Sequence, residues 1–190
     1  MMTDRPHNGS ASSALLDDVK PDHWIDRLND GSHVLIRQLQ AEDREREFAF
    51  IKNLSAESRR ARFLSAMTEP SNALMNQMMG IDCPEHMAYA AFFIDGGHLI
   101  EVGVARYAAV QGDSQCESAV VVADQWQRKG LGNRLMQHLI DAARKNGFDY
   151  MMSIDSATNS HMRRLAENLG FESHRDPSDA TQVLYRLTLN

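Results

Sequence analysis

Several absences narrow what this chain can be. Cysteine occurs only twice in 190 residues, as Cys83 and Cys116, with no C-x-x-C pair. A disulfide framework is excluded, and both are read as free thiols of a reducing compartment. No apolar run approaches the ~20 residues of a membrane-spanning helix. The N-terminus also lacks the charged-then-apolar order of a signal peptide, so the cytoplasm is the expected location and no membrane partner is expected. Eight histidines are scattered without metal-ligand spacing, and no metal is expected. Positive charge is in deficit, with 20 Lys and Arg against 26 Asp and Glu. The net charge of −6 speaks against a nucleic-acid footprint and suits a cationic acceptor such as an amine. Internal repeats are absent.

What is present suits a globular domain with a sizeable core: 43% of residues are hydrophobic and 24% charged. Residues 1–30 read as a flexible tail, since Asn8-Gly9-Ser10-Ala11-Ser12-Ser13 and Asp17-Asp18 bury little apolar surface. One helical turn is expected near Trp24 to Leu28. The domain is expected over 31–190. A first strand is read at Val34 to Leu39 and a helix at Glu42 to Leu54. A second helical stretch, Ser58 to Met67, carries Arg59, Arg60 and Arg62, read as a solvated face with a binding role as the alternative. A Met-rich helix follows at Asn72 to Met79. Two strands, Met87 to Ile94 and Leu99 to Val110, flank the hairpin composition Asp95-Gly96-Gly97.

The most informative stretch runs from Glu117 to Asn146. Ala119-Val120-Val121-Val122-Ala123 is a short β-branched run, read as a buried strand. Gln127-Arg128-Lys129-Gly130-Leu131-Gly132 follows as a glycine loop. Leu131, Leu135, Met136, Leu139, Ile140 and Ala143 then recur at helical spacing until Gly147 stops the helix. A strand feeding a glycine loop and a helix N-terminus gathers unpaired N–H groups in front of the helix dipole, which makes an anion cradle suited to phosphate. Arg128, Lys129 and Arg134 add positive charge. The Walker spacing is absent, and Leu135 stands where a dinucleotide fingerprint needs a small residue. Beyond it, Tyr150 to Ile154 is a strand parallel to the one before the helix. Asn159 to Leu169 is an amphipathic helix ended by Gly170, and Phe171 to His174 with Gln182 to Leu189 close the sheet.

The Q-x-x-G-x-G pattern between strand and helix resembles the coenzyme A pyrophosphate loop of the GCN5-related N-acetyltransferase (GNAT) superfamily. The order of elements agrees, as does Asn159-Ser160-His161-Met162 leading to Glu167-Asn168-Leu169-Gly170-Phe171. Within the superfamily, Val34 to Arg37, Ser55 to Phe63, and Glu117 to Val122 ahead of Trp126-Gln127 resemble the acetyltransferase domain of bacterial Pat-type protein lysine acetyltransferases, which carry additional domains that are not expected here. The resemblance implies an α+β fold, a three-layer αβα sandwich on a mixed, mostly antiparallel sheet with one splayed parallel strand pair.

It also implies acetyl-CoA as cosubstrate and an amine acceptor, most simply a protein lysine, with a small amine or amino acid and a non-catalytic acyl-CoA sensor as alternatives. Cofactor contacts are carried over to Val120, Val121, Val122, Gln127, Arg128, Lys129, Gly130, Leu131, Gly132, Asn133 and Asn159. The Val120 N–H is also placed at the thioester carbonyl, and a helix N-cap is the other reading of Asn159. An amine of pKa about 10.4 must lose a proton before it attacks, and Glu117 stands where the subgroup places its catalytic glutamate. Glu101 and Asp124 are weaker candidates. The family's tyrosine acid is replaced by Ala166, leaving Tyr107, Tyr150 or an unassisted thiolate. Monomer and homodimer are both open.

Overall fold

The computed structural model describes residues 23–63, 67–81, 84–176 and 178–190. In chain order the strands and helices are β1 (His23–Arg27), β2 (His33–Gln38), α1 (Arg44–Asn53), α2 (Ala56–Phe63), α3 (Asn72–Met79), β3 (His86–Asp95), β4 (His98–Ala109), β5 (Gln115–Val122), α4 (Leu131–Lys145), β6 (Tyr150–Ser156), α5 (Ser160–Leu169), β7 (Glu172–Arg175) and β8 (Gln182–Thr188). The strands make one sheet in the order β1-β2-β3-β4-β5-β6-β8-β7, and β5 with β6 is the parallel pair. The α4 crossover imposes that direction, because a strand reached through a helix returns parallel to the one it left.

Alternation along the strands divides the core into two layers. Leu131, Leu135, Met136 and Leu139 of α4 and Met162 and Ala166 of α5 pack on one face, against Tyr89, Ala105, Met151 and Tyr185. Phe50 and Ile51 of α1 and Met75 and Met78 of α3 pack on the other, against Ala90, Phe92, Val104 and Val121. Each fully buried Leu, Ile, Val, Phe or Met among them contributes about 1.5–3 kcal/mol of transfer free energy. The helix α2 differs in having no buried residue.

A bulge sets which acid is buried. Ala91 pairs with Gly103 and Phe92 with Glu101, so Val102 has no partner, and the face of every residue before it is inverted. Val102 thus joins the α4 layer while Glu101, 5% exposed, is driven under α1. Gly103 suits the close packing here, since a Cβ would lie 3.1 Å from Leu135 Cδ1 and 3.3 Å from the Val121 carbonyl oxygen, tighter than ordinary contact.

Two expectations are corrected. The helical turn at Trp24 to Leu28 is strand β1, antiparallel to β2 with Ile25 opposite Leu35. Its period is two: Trp24 stacks on His138 at 3.9 Å and Asp26 accepts from or pairs with His138 Nε2 at 3.0 Å, both toward α4, while Ile25 is exposed on the opposite face. The ordered sheet therefore starts inside the stretch read as a tail; residues 1–22 of that tail, and Cys83, lie outside the described residues. The second correction concerns Arg59, which is not solvated. Its guanidinium donates to the carbonyls of Met67 (3.0 Å), Lys52 (3.0 Å) and Leu54, closing the turn between α1 and α2.

Candidate active site

The ladder between β5 and β6 stops early. Gln115 pairs with Tyr150, Cys116 with Met151 and Glu117 with Met152, and no pair follows although β5 continues to Val122 and β6 to Ser156. Ser118 closes the paired part, its hydroxyl donating to the Met152 carbonyl at 3.0 Å. On the other side β5 stays paired with β4 as far as Val122. The Ala123 N–H donates to Val102 on the β4 side, so by alternation the main-chain groups of Val120 and Val122 face the gap. This is an exposed strand edge inside the sheet, able to accept an extended amide-bearing chain. One of its groups has a partner already: the Val122 carbonyl accepts from Gln127 Nε2 at 3.2 Å.

The loop at the end of β5 is built from two sides. After a 3-10 turn, Asp124–Trp126, the chain turns through Arg128 at φ +61° and Gly130 at φ +88°. Left-handed residues alternating with ordinary ones turn successive N–H groups to one side, the backbone shape of an anion nest. Arg128 is the one described non-glycine residue at positive φ, a strain that recurs at ligand sites. Gly130 is the N-cap of α4 and has no side chain to cap it, and the first helical bond runs from the Arg134 N–H to the Gly130 carbonyl. The N–H groups of Leu131, Gly132 and Asn133 are thus left without helical acceptors. Gly132 has room for a side chain, its nearest neighbours being Leu165 at 3.6 Å and Val122 at 3.9 Å from a built Cβ. The fold itself does not require glycine there, whereas an anion seated on the backbone does.

Asn29 and Asp30, between β1 and β2, hold the loop from behind. The Asn29 N–H donates to the Lys129 carbonyl at 3.0 Å, and Lys129 Nζ lies 3.0 Å from Asp30 and 4.7 Å from the Trp126 ring centroid. The sequence reading missed both residues; the turn composition Asn29-Asp30-Gly31-Ser32 was the signal available. Lys129 therefore spends its charge within the loop, while Arg128 and Arg134 are exposed.

Glu117 is exposed at the last paired position, where the gap opens, and its side chain is on the α1 and α2 face of the sheet. Burial lowers Arg62 on α2 to about 10, with Arg106 acting in the same direction and Glu47 and Glu117 opposing, so Glu117 shares its surroundings with a guanidinium. Arg106 Nη2 donates to buried Glu47 at 2.6 Å, and Arg106 Nη1 donates to the Met78 carbonyl at 2.7 Å. Deeper still, burial first and then the Glu47 carboxylate raise Glu101 well above the ordinary carboxylate range. Glu101 Oε1 and Oε2 and Glu47 Oε2 are buried without a hydrogen-bond partner among the described residues, so a second negative charge beside Glu47 would go uncompensated, which favours the protonated form of Glu101.

The remaining candidates separate by position. Asn159 caps α5, its Oδ1 accepting from the Met162 N–H at 3.1 Å and its Nδ2 donating to Asp155 at 3.1 and 3.2 Å. Asp124 accepts from Ser55 and Ser58 and is a link between elements. Tyr107 is buried, its hydroxyl accepting at 2.6 Å from Asn146, the C-cap of α4 and so the far end from the loop. Tyr150 stands two pairs back from Glu117 on the same face, with Arg186 3.9 Å over its ring. Ala166 lies in the core. Cys116 is buried with its thiol pushed up to about 12 by burial, which removes it as a nucleophile.

Comparison with known proteins decides the class. The model of the acetyltransferase (GNAT) family matches residues 48–171. The chain belongs to this family. It is 52% identical over 182 residues to an acetyltransferase of Pseudomonas aeruginosa, covering 96% of this chain and 97% of that one. Among solved structures, the GNAT domain of S. lividans PAT superposes with a TM-score of 0.79 at 22% identity, covering 87% of this chain and 96% of that one. A cAMP-binding acyltransferase from Mycobacterium smegmatis gives 0.62 at 20% identity over 90% of this chain but 48% of its own length. These likenesses show the GNAT fold, with its layers on both faces of a mixed sheet, and the family makes the protein an N-acetyltransferase.

Proposed function

We propose that the enzyme transfers an acetyl group from acetyl-CoA to a primary amine, most simply a protein lysine, by direct attack within a ternary complex. The observation that carries this reading is the end of the β5–β6 ladder at Glu117, with the uncapped start of α4 at the other end of the same gap. An extended chain with a pyrophosphate at one end and a thioester at the other matches a strand edge that leads to an anion nest.

In this reading Glu117 takes a proton from the acceptor ammonium, directly or through one water, and the neutral nitrogen attacks the thioester carbon. The Val120 N–H, facing the gap, donates to the oxygen as it gains charge. The C–S bond then breaks and the thiolate leaves, while the nitrogen that keeps the acetyl group gives up its second proton to the departing thiolate, directly or through water, so that an amide and the free thiol result. A thiol of pKa about 8.5 is a fair leaving group without an acid, consistent with Ala166 at the family's tyrosine position. Inert Cys116 supports direct transfer over an acyl-cysteine intermediate. The resemblance of Ser55 to Phe63 and Glu117 to Val122 to the acetyltransferase domain of Pat-type protein lysine acetyltransferases is what favours a lysine acceptor.

The test is transfer of radiolabelled acetyl from acetyl-CoA to a panel of lysine-bearing proteins, amino acids and small amines. Label on protein lysines supports the reading in full; label only on small amines moves the acceptor class; binding without transfer to any acceptor leaves an acyl-CoA sensor and overturns the enzymatic reading.

A further inference from the structure

Asp124 joins two parts of the chain that are 69 residues apart. Its Oδ2 accepts from the Ser55 N–H at 2.9 Å, and its Oδ1 accepts from the Ser55 hydroxyl at 2.7 Å and the Ser58 hydroxyl at 2.7 Å. Gln127 extends the link, Nε2 donating both to Ser58 Oγ and to the Val122 carbonyl at the edge of the gap, each at 3.2 Å. Ser55 and Ser58 bound the first turn of α2, which has no buried residue of its own and whose Arg62 lies within electrostatic reach of Glu117. Phe63 packs on the apolar cluster at the C-terminal end of the helix, while the first turn is held by polar attachments, and here those lead to the cofactor loop. We propose that Asp124 is a positioning residue that latches α2 to the cofactor loop, so that filling the gap beside Val122 fixes the helix wall next to Glu117 for the acceptor. Asp124 acts through Ser55 and Ser58.

The inference rests on the gap holding coenzyme A, and it is read without turnover. Amide exchange of Ala56–Phe63 is measured with and without coenzyme A in the wild type, in Asp124→Asn, and in Ser58→Ala and Ser58→Thr. Coenzyme A slows exchange of α2 in the wild type. Asp124→Asn quickens it by about tenfold or more while exchange in α4 is unchanged. Ser58→Ala does the same, and Ser58→Thr, which keeps the hydroxyl, restores the slow rate. Calorimetry finds coenzyme A affinity in Asp124→Asn within roughly threefold of wild type, because the nest is intact. With the amine that the wild type acetylates best, the KM for that amine rises or kcat falls about tenfold while the KM for acetyl-CoA holds. Unchanged α2 exchange in Asp124→Asn overturns the latch. So does a threonine variant as loose as the alanine one, or coenzyme A affinity that collapses while α2 stays protected. Failure to find any acetylated amine strikes the transfer reading and leaves the exchange result to decide the latch.

Discussion

The starts of α4 and α5 are the most instructive pair in the molecule. Both helices lay an amphipathic face on the same side of the sheet and both end at a glycine in the left-handed region, Gly147 and Gly170. Their first turns differ. The start of α5 satisfies itself, with Asn159 accepting from the Met162 N–H and tied down by Asp155. That of α4 begins at Gly130 with no cap, on a strained loop held from behind by Asn29 and Asp30. A cap costs nothing to include, so its omission beside an unpaired strand edge marks where the fold expects a partner from outside.

The same contrast between committed and available groups separates two glutamates, and it gives the largest predicted effect. Glu117, exposed where the gap opens, is the proposed base; Glu117→Gln keeps its shape and lowers turnover by about two to four orders of magnitude while coenzyme A affinity persists. The acidic limb of the rate profile is lost with it. Glu101→Gln, at the buried position, leaves turnover near normal and changes stability instead.

Burial, then Glu47, raise the folded-state Glu101 pKa above the ordinary value of 4.5. Its stabilising contribution is present below that value and declines as pH rises towards the folded-state pKa, by up to about 1.4 kcal/mol per pH unit. Glutamine mimics the protonated acid, so the variant gains on the wild type from pH 5 to pH 7 in denaturant titrations. A parallel pH dependence in both proteins contradicts this assignment.

The smallest effect is at the capped helix. Asn159→Ala lowers stability by about 0.5–2 kcal/mol and leaves coenzyme A affinity within roughly threefold. A large loss of affinity with stability unchanged makes Asn159 a cofactor contact and blurs the comparison between the two helix starts.

The legible and illegible parts of this fold follow physical range. The loop from Gln127 to Gly132, the α4 stripe and the hairpin at Gly96-Gly97 were readable because turn glycines and helical spacing are local signals. Strand β1 was not, since five residues containing Trp24 and Ile25 fit one turn of helix as well as a short edge strand, and pairing with β2 decided between them. The burial of Glu101 depends on a bulge at Val102 that no local pattern marks. The Asp124 link and the Arg59 carbonyl contacts join segments that only the folded chain brings together. In the site, the positions from Val120 to Asn133 came from sequence, while their support by Asn29, Asp30, Ser55 and Ser58 came from the fold.

The most direct test places one substitution at the equivalent position of both helices, the second residue after the N-cap. An aspartate in a first turn is ordinarily favourable by about 0.3–1 kcal/mol, since it faces the positive end of the dipole. In α5, His161→Asp therefore leaves coenzyme A affinity unchanged and stability equal or slightly higher. In α4, Gly132→Asp sets the same charge in the nest and weakens coenzyme A binding by several kcal/mol, roughly a hundredfold or more, in a folded protein. Calorimetric titration of coenzyme A into the two variants and the wild type reads the outcome. Loss confined to Gly132→Asp is the predicted result; equal affinity in all three would contradict the assignment of the α4 start as the pyrophosphate site.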